Sequence, residues 1–195
     1  MDEQEWTRTR DAAGMVRCWM RHWAGPEAEL TATLQRYYLA CCRRIWPLLV
    51  ADPVRNLVAV AERFAAGSAT GDDLGRASMD HECGFTVVVR FADEYPEYQA
   101  CLDDWLARMS AIPAPVLKKL TASFPPDTDK SPRALLLDAA RFAFDSATLQ
   151  RAHCWDGMSR SYGHFLSAHL FRELVSRWPP EPAPPGRRPD SDRSI

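Results

Sequence analysis

Residues 27–50, EAELTATLQRYYLACCRRIWPLLV, carry the clearest helical pattern in the chain. Apolar side chains recur there every three or four residues, at Leu30, Leu34, Tyr37, Cys41, Ile45, Leu48 and Leu49. This spacing places them along one face of an α-helix and predicts that the helix packs that face into a core. Because Pro47 lacks an amide hydrogen and crowds the turn before it, we expect the helix to tighten over residues 43–46 and to end near Val50.

Short motifs mark the ends of the neighbouring helices. Pro53, after the expected capping residue Asp52, suits the first turn of the next helix, and Gly67 suits a left-handed position at its end. Thr70 with Asp73 matches a capping box, which predicts another helix start. Residues 85–91, FTVVVRF, have the β-branched content of a strand, yet no second strand of comparable quality is present to pair with it. We therefore predict a buried helix there.

The same periodicity along the rest of the chain predicts an all-α fold. We expect an irregular helical bundle of about seven helices, built from helical hairpins, with residues 1–178 forming a single domain. The last apolar face is expected at Tyr162, Phe165, Leu166, His169, Leu170, Leu174, Val175 and Trp178. Six of the fifteen prolines follow Trp178, and the other residues there are charged or small. Residues 179–195 are therefore predicted to form a disordered proline-rich tail.

The composition limits the possible classes of partner. A formal net charge of -2 excludes a global field that would attract nucleic acid or an anionic membrane. The N-terminus is acidic and no apolar run is as long as a membrane span, so we predict a cytoplasmic protein with no membrane partner. The six cysteines are dispersed among amphipathic patterns, which indicates reduced and mostly buried thiols. No cofactor motif is present, so no cofactor is predicted.

Three stretches in the N-terminal half form a recognisable pattern: the Glu5-Trp6 pair, residues 39–46 (LACCRRIW) and residues 60–67 (VAERFAAG). They resemble an uncharacterised helical family that is abundant in planctomycete bacteria, and the similarity covers about the first 80 residues. A fainter similarity links the same helices to Imm5-like immunity proteins of bacteria. The first resemblance implies a helical fold without particular chemistry, and the second implies binding to a protein partner.

The leading candidate site lies on the helix that carries this resemblance. Arg43 and Arg44 precede Trp46, and the helix expected to pack beside them carries Glu62. A buried pair between one of these arginines and Glu62 would fix the register of the two helices. The same residues could instead line a groove for a peptide or acidic partner, with Trp46 as its anchor.

A second set of residues could hold a metal or perform acid-base chemistry. Asp80, His81, Glu82 and Cys83 are adjacent, and His153, His164 and His169 follow later. Neighbouring helical residues point in different directions, so the first group is as well explained as a solvated helix end. Histidines beside aromatic residues are commonly core residues, which is the structural interpretation of the second group.

A third set could contact nucleic acid near the N-terminus. Four arginines, Arg8, Arg10, Arg17 and Arg21, alternate with Trp6, Trp19 and Trp23. Aromatic rings can stack on bases while guanidinium groups neutralise phosphates. The structural alternative is that the tryptophans pack onto the main helix and the arginines pair with nearby acids.

The sequence favours a non-enzymatic helical protein-interaction or adaptor protein, and the fainter resemblance implies one of the immunity type. The common catalytic signatures are absent, and many aromatic residues lie on amphipathic helices. The alternative function is a metal-dependent or acid-base enzyme that uses His81, Glu82 and the region from His153 to His169. The identity of the partner and the oligomeric state do not follow from the sequence.

Overall fold

The structure is a computed structural model that describes residues 3–148 and 154–175. Ten helices make up most of these residues. They are α1 Glu3–Arg8, α2 Ala12–His22, α3 Glu27–Arg44, α4 Asp52–Ala65, α5 (Gly71–His81, continued by a π-helical turn Glu82–Thr86 and by Val87–Phe91), α6 Pro96–Ser110, α7 Ala114–Leu120, α8 Pro132–Thr148, α9 Cys154–Ser161 and α10 Ala168–Leu174. No β-strand occurs in the two described ranges. The all-α prediction is confirmed, although the described ranges contain ten helices rather than about seven, and the helical prediction for residues 85–91 is confirmed as well.

Local chemistry explains several helix ends. The Asp11 carboxylate accepts a 2.8 Å hydrogen bond from the Gly14 amide at the start of α2. Thr70 and Asp73 form the expected capping box at the start of α5. Gly67 has a φ of 73°, a left-handed conformation that glycine adopts without steric cost. Asp52 is the first residue of α4 rather than its cap, a position that Ala51 takes.

Pro47 shapes the end of α3 with the expected tightening, but the regular helix ends earlier than the predicted position near Val50. The α-helix ends at Arg44, and Trp46–Leu48 form a 3-10 helical turn before α4 begins. The missing amide hydrogen of proline explains why the regular helix cannot continue. This turn places the Trp46 side chain next to the last turn of α3.

The core is organised around α3. All seven residues of its predicted apolar face are buried. The helix packs against α4, α8 and α10, while α4 also contacts α5 and α8. Tyr38 is fully buried and its hydroxyl lies 2.7 Å from the Ser159 hydroxyl, so a polar group in the core has a partner.

The C-terminal helix α10 closes the bundle against the N-terminus. Phe171 is fully buried, and its ring lies 5.6 Å from that of Trp6, 5.7 Å from Trp19 and 4.8 Å from Tyr37. The Arg172 side chain donates hydrogen bonds to the carbonyl oxygens of Trp6 and Thr9. Helix α10 therefore joins the two ends of the described chain.

The predicted last apolar face is wrong in part. Leu174 is 41% exposed and His169 is exposed, whereas Phe171, which the prediction omitted, faces the core. A helix as short as α10 offers less than two full turns, so its buried face is set by the packing of Phe171 on the N-terminal tryptophans. Trp178 and the predicted tail 179–195 lie outside the described residues.

No helix within residues 3–148 and 154–175 combines the length and apolar character needed to cross a bilayer.

The cysteines differ in exposure. Cys41 and Cys42 are buried, Cys18 and Cys101 are half-buried, and Cys83 is exposed on the π-helical turn; all five are free thiols. The prediction of mostly buried thiols therefore holds for Cys41 and Cys42 but not for Cys83. Burial raises the pKa of Cys41 to about 11 and raises the pKa of Cys42 further.

We expect a thiol reagent to label Cys83 of the native protein at pH 7.5 at least roughly 100-fold faster than Cys41 or Cys42. The two buried thiols combine low access with a low thiolate fraction, and they should react fully only in denaturant. Mass spectrometry of timed, digested samples would measure this difference. Equal labelling rates at Cys41 and Cys83 would contradict the packing of α3.

Candidate functional site

A groove with a volume of about 850 Å³ lies between α3, α4, α7 and α10, and we call it the basic groove. Its apolar floor consists of aliphatic side chains, Leu39, Ala40, Ala65 and Leu170. Its cationic residues are Arg36, Arg43, Arg44 and Lys119, and Ala66, Ser167, His169 and Glu62 complete the wall. The groove therefore combines an aliphatic floor with an excess of positive charge.

The spacing of residues on α3 explains how the groove forms. Arg36, Ala40 and Arg43 are four and then three residues apart, so they lie along one face of the helix. The small side chains of Ala40 on α3 and of Ala65 and Ala66 on α4 leave open space between the two helices. The longer arginine side chains extend from the same face and border that space.

Arg43 is the partner of Glu62. Its guanidinium makes a bidentate contact with the carboxylate, in which the Nε to Oε1 distance is 2.7 Å and Nη2 donates to Oε2. The same guanidinium lies 4.0 Å from the centre of the Trp46 ring. The side chains of Arg43 and Glu62 are 46% and 30% exposed, so the expectation of a buried pair is wrong. Trp46 is half-buried beneath Arg43 and is not among the residues that line the groove.

We expect Glu62→Ala to lower the free energy of unfolding by under about 1 kcal/mol, because solvent screens a partly exposed ion pair. Urea denaturation of this variant, of Arg43→Ala and of the double variant would measure the coupling between the two side chains. A loss of about 3 to 5 kcal/mol would instead indicate a desolvated pair and contradict the observed exposure.

Arg44 has a different role from Arg43. Its Nη1 atom donates to the carbonyl oxygens of Phe165 and Leu166, at 3.3 and 3.1 Å. These carbonyls lie at the end of the 3-10 helical turn Gly163–Phe165, just before α10. Arg44 therefore fixes the segment that leads into α10, the helix that contributes His169 and Leu170 to the groove.

The groove retains uncompensated positive charge. Within the described ranges no carboxylate forms an ion pair with Arg36, Arg44 or Lys119. Glu62, the single acid among the described residues that line the groove, is neutralised by Arg43. This charge contrasts with the net charge of -2 of the whole chain.

Sequence reasoning identified Arg43, Arg44 and Glu62 but missed Arg36, Lys119 and Leu170. The spacing of Arg36, Ala40 and Arg43 could have revealed Arg36, because the three share a helix face. Lys119 and Leu170 come from distant helices, and no local pattern links them to α3.

The candidate metal ligands occupy different environments. His81 is buried, Asp80 and Glu82 are exposed, and His164 is half-buried with its ring 4.5 Å from that of Phe124. His169 is exposed and its Nε2 atom lies 3.1 Å from Glu173 Oε1. His153 lies outside the described residues. Among the residues that the structure does describe, no group of three or more His, Cys, Asp or Glu side chains could hold a metal ion.

His81 differs from the expected solvated helix end. Only 4% of its surface is exposed, and its ring lies 5.4 Å from Phe85 and 4.8 Å from Phe144. Neither ring nitrogen has a hydrogen-bond partner among the described residues. Burial lowers the pKa of His81, and the nearby Glu82 carboxylate opposes this effect. The imidazole is therefore neutral near pH 7.

We expect His81 to make the protein less stable as the pH falls. Because its pKa in the folded state is lowered, the unfolded chain binds more protons below about pH 6.5, and stability then declines. Between pH 7.5 and 5.5 this loss can reach about 1.4 kcal/mol. Urea denaturation at both values should show a smaller pH dependence in His81→Phe. An identical pH dependence in both proteins would contradict a buried neutral imidazole.

The four N-terminal arginines lie on the surface around buried tryptophans. Arg8, Arg10 and Arg21 are exposed, and Arg17 Nη2 lies 3.9 Å from Asp11 Oδ2. Trp6 and Trp19 are 4% and 3% exposed, and Trp23 is half-buried against Trp19. The rings of Trp6 and Trp19 thus pack in the core, and a nucleic-acid role for the arginines stays a prediction.

Comparisons with protein-family models, with curated proteins and with solved structures gave no match to this chain.

Proposed function

We propose that this protein is a non-enzymatic interaction or adaptor protein whose basic groove binds an acidic amphipathic helix of a protein partner. The observation that carries the proposal is the combination of an aliphatic floor with Arg36, Arg44 and Lys119, which no carboxylate of the described residues neutralises. An amphipathic helix would place apolar side chains on the floor and acidic side chains against these cations. The fainter resemblance to immunity proteins supports a toxin as the partner.

The dimensions of the groove suit a short helical segment. Arg36 and Arg43 are seven residues apart on α3, which corresponds to about 10 Å along the helix axis. This length matches about two turns of a bound helix, whose diameter is also about 10 to 12 Å. Two turns present apolar side chains at three- and four-residue spacing, enough to cover the aliphatic floor.

The composition of the floor favours a peptide over a nucleic acid. Binding of single-stranded nucleic acid usually depends on aromatic rings that stack on the bases. The floor consists of leucine and alanine, and the nearby Trp46 ring is covered by Arg43. Aliphatic surfaces of this kind receive leucine, isoleucine or methionine side chains of a helix.

Selection of 16-residue peptides from a random display library against the full chain would test the proposal. The selected peptides should be rich in Asp and Glu and should carry apolar residues at helical spacing. They should lose affinity for Lys119→Glu but keep it for Lys118→Glu, because Lys118 is exposed on the same helix and does not line the groove.

Three results would count against the proposal. Selected peptides without acidic enrichment would contradict the charge argument. Peptides that bind Lys119→Glu and Lys118→Glu equally well would show that they bind elsewhere. A single-stranded oligonucleotide that displaces the selected peptides at physiological salt would favour the nucleic-acid alternative.

A further inference from the structure

A second cavity lies on another part of the molecule, between α5 and α8. Its volume is about 510 Å³, and we call it the His81 cavity. Its apolar wall consists of Phe85, Val89, Leu137, Phe144 and Tyr162, together with the ring of His81. Cavities of this size and aromatic character are typical of sites for small molecules.

A π-helical turn shapes one wall of this cavity. The Val87 amide donates to the carbonyl oxygen of Glu82, which is the five-residue spacing of a π-helix. Gly84 lets this turn approach α4, because a Cβ atom there would lie only 3.0 Å from Pro53 Cγ. The turn changes the direction of the side chains before it relative to those after it. Such turns within α-helices are frequent at functional sites.

Among the described residues, the imidazole of His81 has no hydrogen-bond partner. It is 4% exposed, and neither ring nitrogen is hydrogen-bonded within the described part of the chain. Buried polar atoms in native proteins are nearly always paired. A neutral imidazole has one donor and one acceptor, so the complementary partner would also offer one of each.

The charges around the cavity are balanced. Arg90 and Arg141 are offset by Glu82 and Asp145, and Asp145 also accepts a 2.9 Å hydrogen bond from the Tyr162 hydroxyl. This balance gives no advantage to a ligand with net charge of either sign. Aromatic rings on several sides instead favour a planar molecule.

We propose that the His81 cavity binds an uncharged planar nitrogen heterocycle, whose ring packs among Phe85, Phe144 and Tyr162. Neighbouring atoms cover both ring nitrogens of His81, so the side chain turns to bring one of them to the cavity, where the N–H group or the ring nitrogen of the heterocycle pairs with it. This site is separate from the basic groove, since the two share no lining residue. The inference therefore does not depend on the proposed function.

Benzimidazole and indene form a matched pair of probes for this site. They have nearly the same shape, but only benzimidazole carries an N–H donor and a ring-nitrogen acceptor, and it is uncharged at pH 7.5. Titration followed by calorimetry should show benzimidazole binding at least about tenfold more tightly than indene. His81→Phe, which keeps an aromatic ring but removes both nitrogens, should abolish this preference. His22→Phe is the matched control and should retain it, because His22 is exposed and lies outside both the cavity and the basic groove.

Equal affinities for benzimidazole and indene would overturn the polar recognition by His81. The absence of benzimidazole binding at millimolar concentration would overturn the site as a whole. If His81→Phe fails to fold, NMR of the wild-type chain labelled with ¹⁵N-histidine decides the question. Benzimidazole should then shift the His81 ring-nitrogen signals, and unchanged signals at saturation would contradict the proposal.

Discussion

Phe171→Ala should lower the free energy of unfolding by about 3 to 5 kcal/mol, the range for truncation of a buried aromatic side chain. Phe171 is fully buried and its ring contacts Trp6, Trp19 and Tyr37. Its removal would leave a cavity where α10 meets the N-terminal helices. Urea denaturation followed by circular dichroism would measure the loss.

Leu174→Ala is the matched control for Phe171→Ala on the same helix. Leu174 is 41% exposed, so its truncation should cost under about 1 kcal/mol. Similar losses for the two variants would show that α10 does not dock on the N-terminus through Phe171. The sequence pattern alone would have predicted a loss for Leu174 and none for Phe171.

The double variant Arg36→Glu with Lys119→Glu should weaken binding of an acidic peptide selected on the groove by about 100-fold at an ionic strength of about 0.15 M. Both cations border the aliphatic floor, and their reversal would place like charges against the peptide. Fluorescence anisotropy with a labelled peptide would measure the dissociation constants. The salt dependence of the remaining binding should also be weaker.

A second double variant distinguishes the loss of cations in the groove from the change in the net charge of the protein. Arg133 and Lys118 are exposed and do not line the basic groove, so Arg133→Glu with Lys118→Glu gives the same change in net charge. Its peptide affinity should stay within about threefold of wild type, since exposed charges at a distance are screened. An equal loss in both double variants would mean that only the net charge of the protein matters.

The sequence predicted the features that depend on local physics. The α3 face, the turn at Pro47, the capping box at Thr70 and the glycine end at Gly67 all follow from periodicity or backbone chemistry within a few residues. The pairing of Glu62 with one of the two arginines was also predictable, because α3 and α4 are joined by a short connection, but the sequence did not distinguish Arg43 from Arg44.

Features that depend on tertiary packing were not predictable from the sequence. His81 was expected at a solvated helix end, yet it packs between Phe85 and Phe144 because α5 continues through a π-helical turn. The exposure of the Arg43 and Glu62 pair depends on the groove beside it. Lys119 reaches that groove from α7, which no local pattern connects to α3.

Photo-crosslinking from inside the basic groove would show whether the selected acidic peptide binds there. A benzoylphenylalanine at position 66, where the exposed Ala66 lines the groove, should crosslink to the selected acidic peptide on illumination. The same group at position 79 should not, because Met79 is 63% exposed but lies outside the groove. If the peptide binds in the basic groove, we expect a crosslink from position 66 that excess unlabelled peptide suppresses. Crosslinking from position 79 with none from position 66 would contradict the basic groove as the binding site.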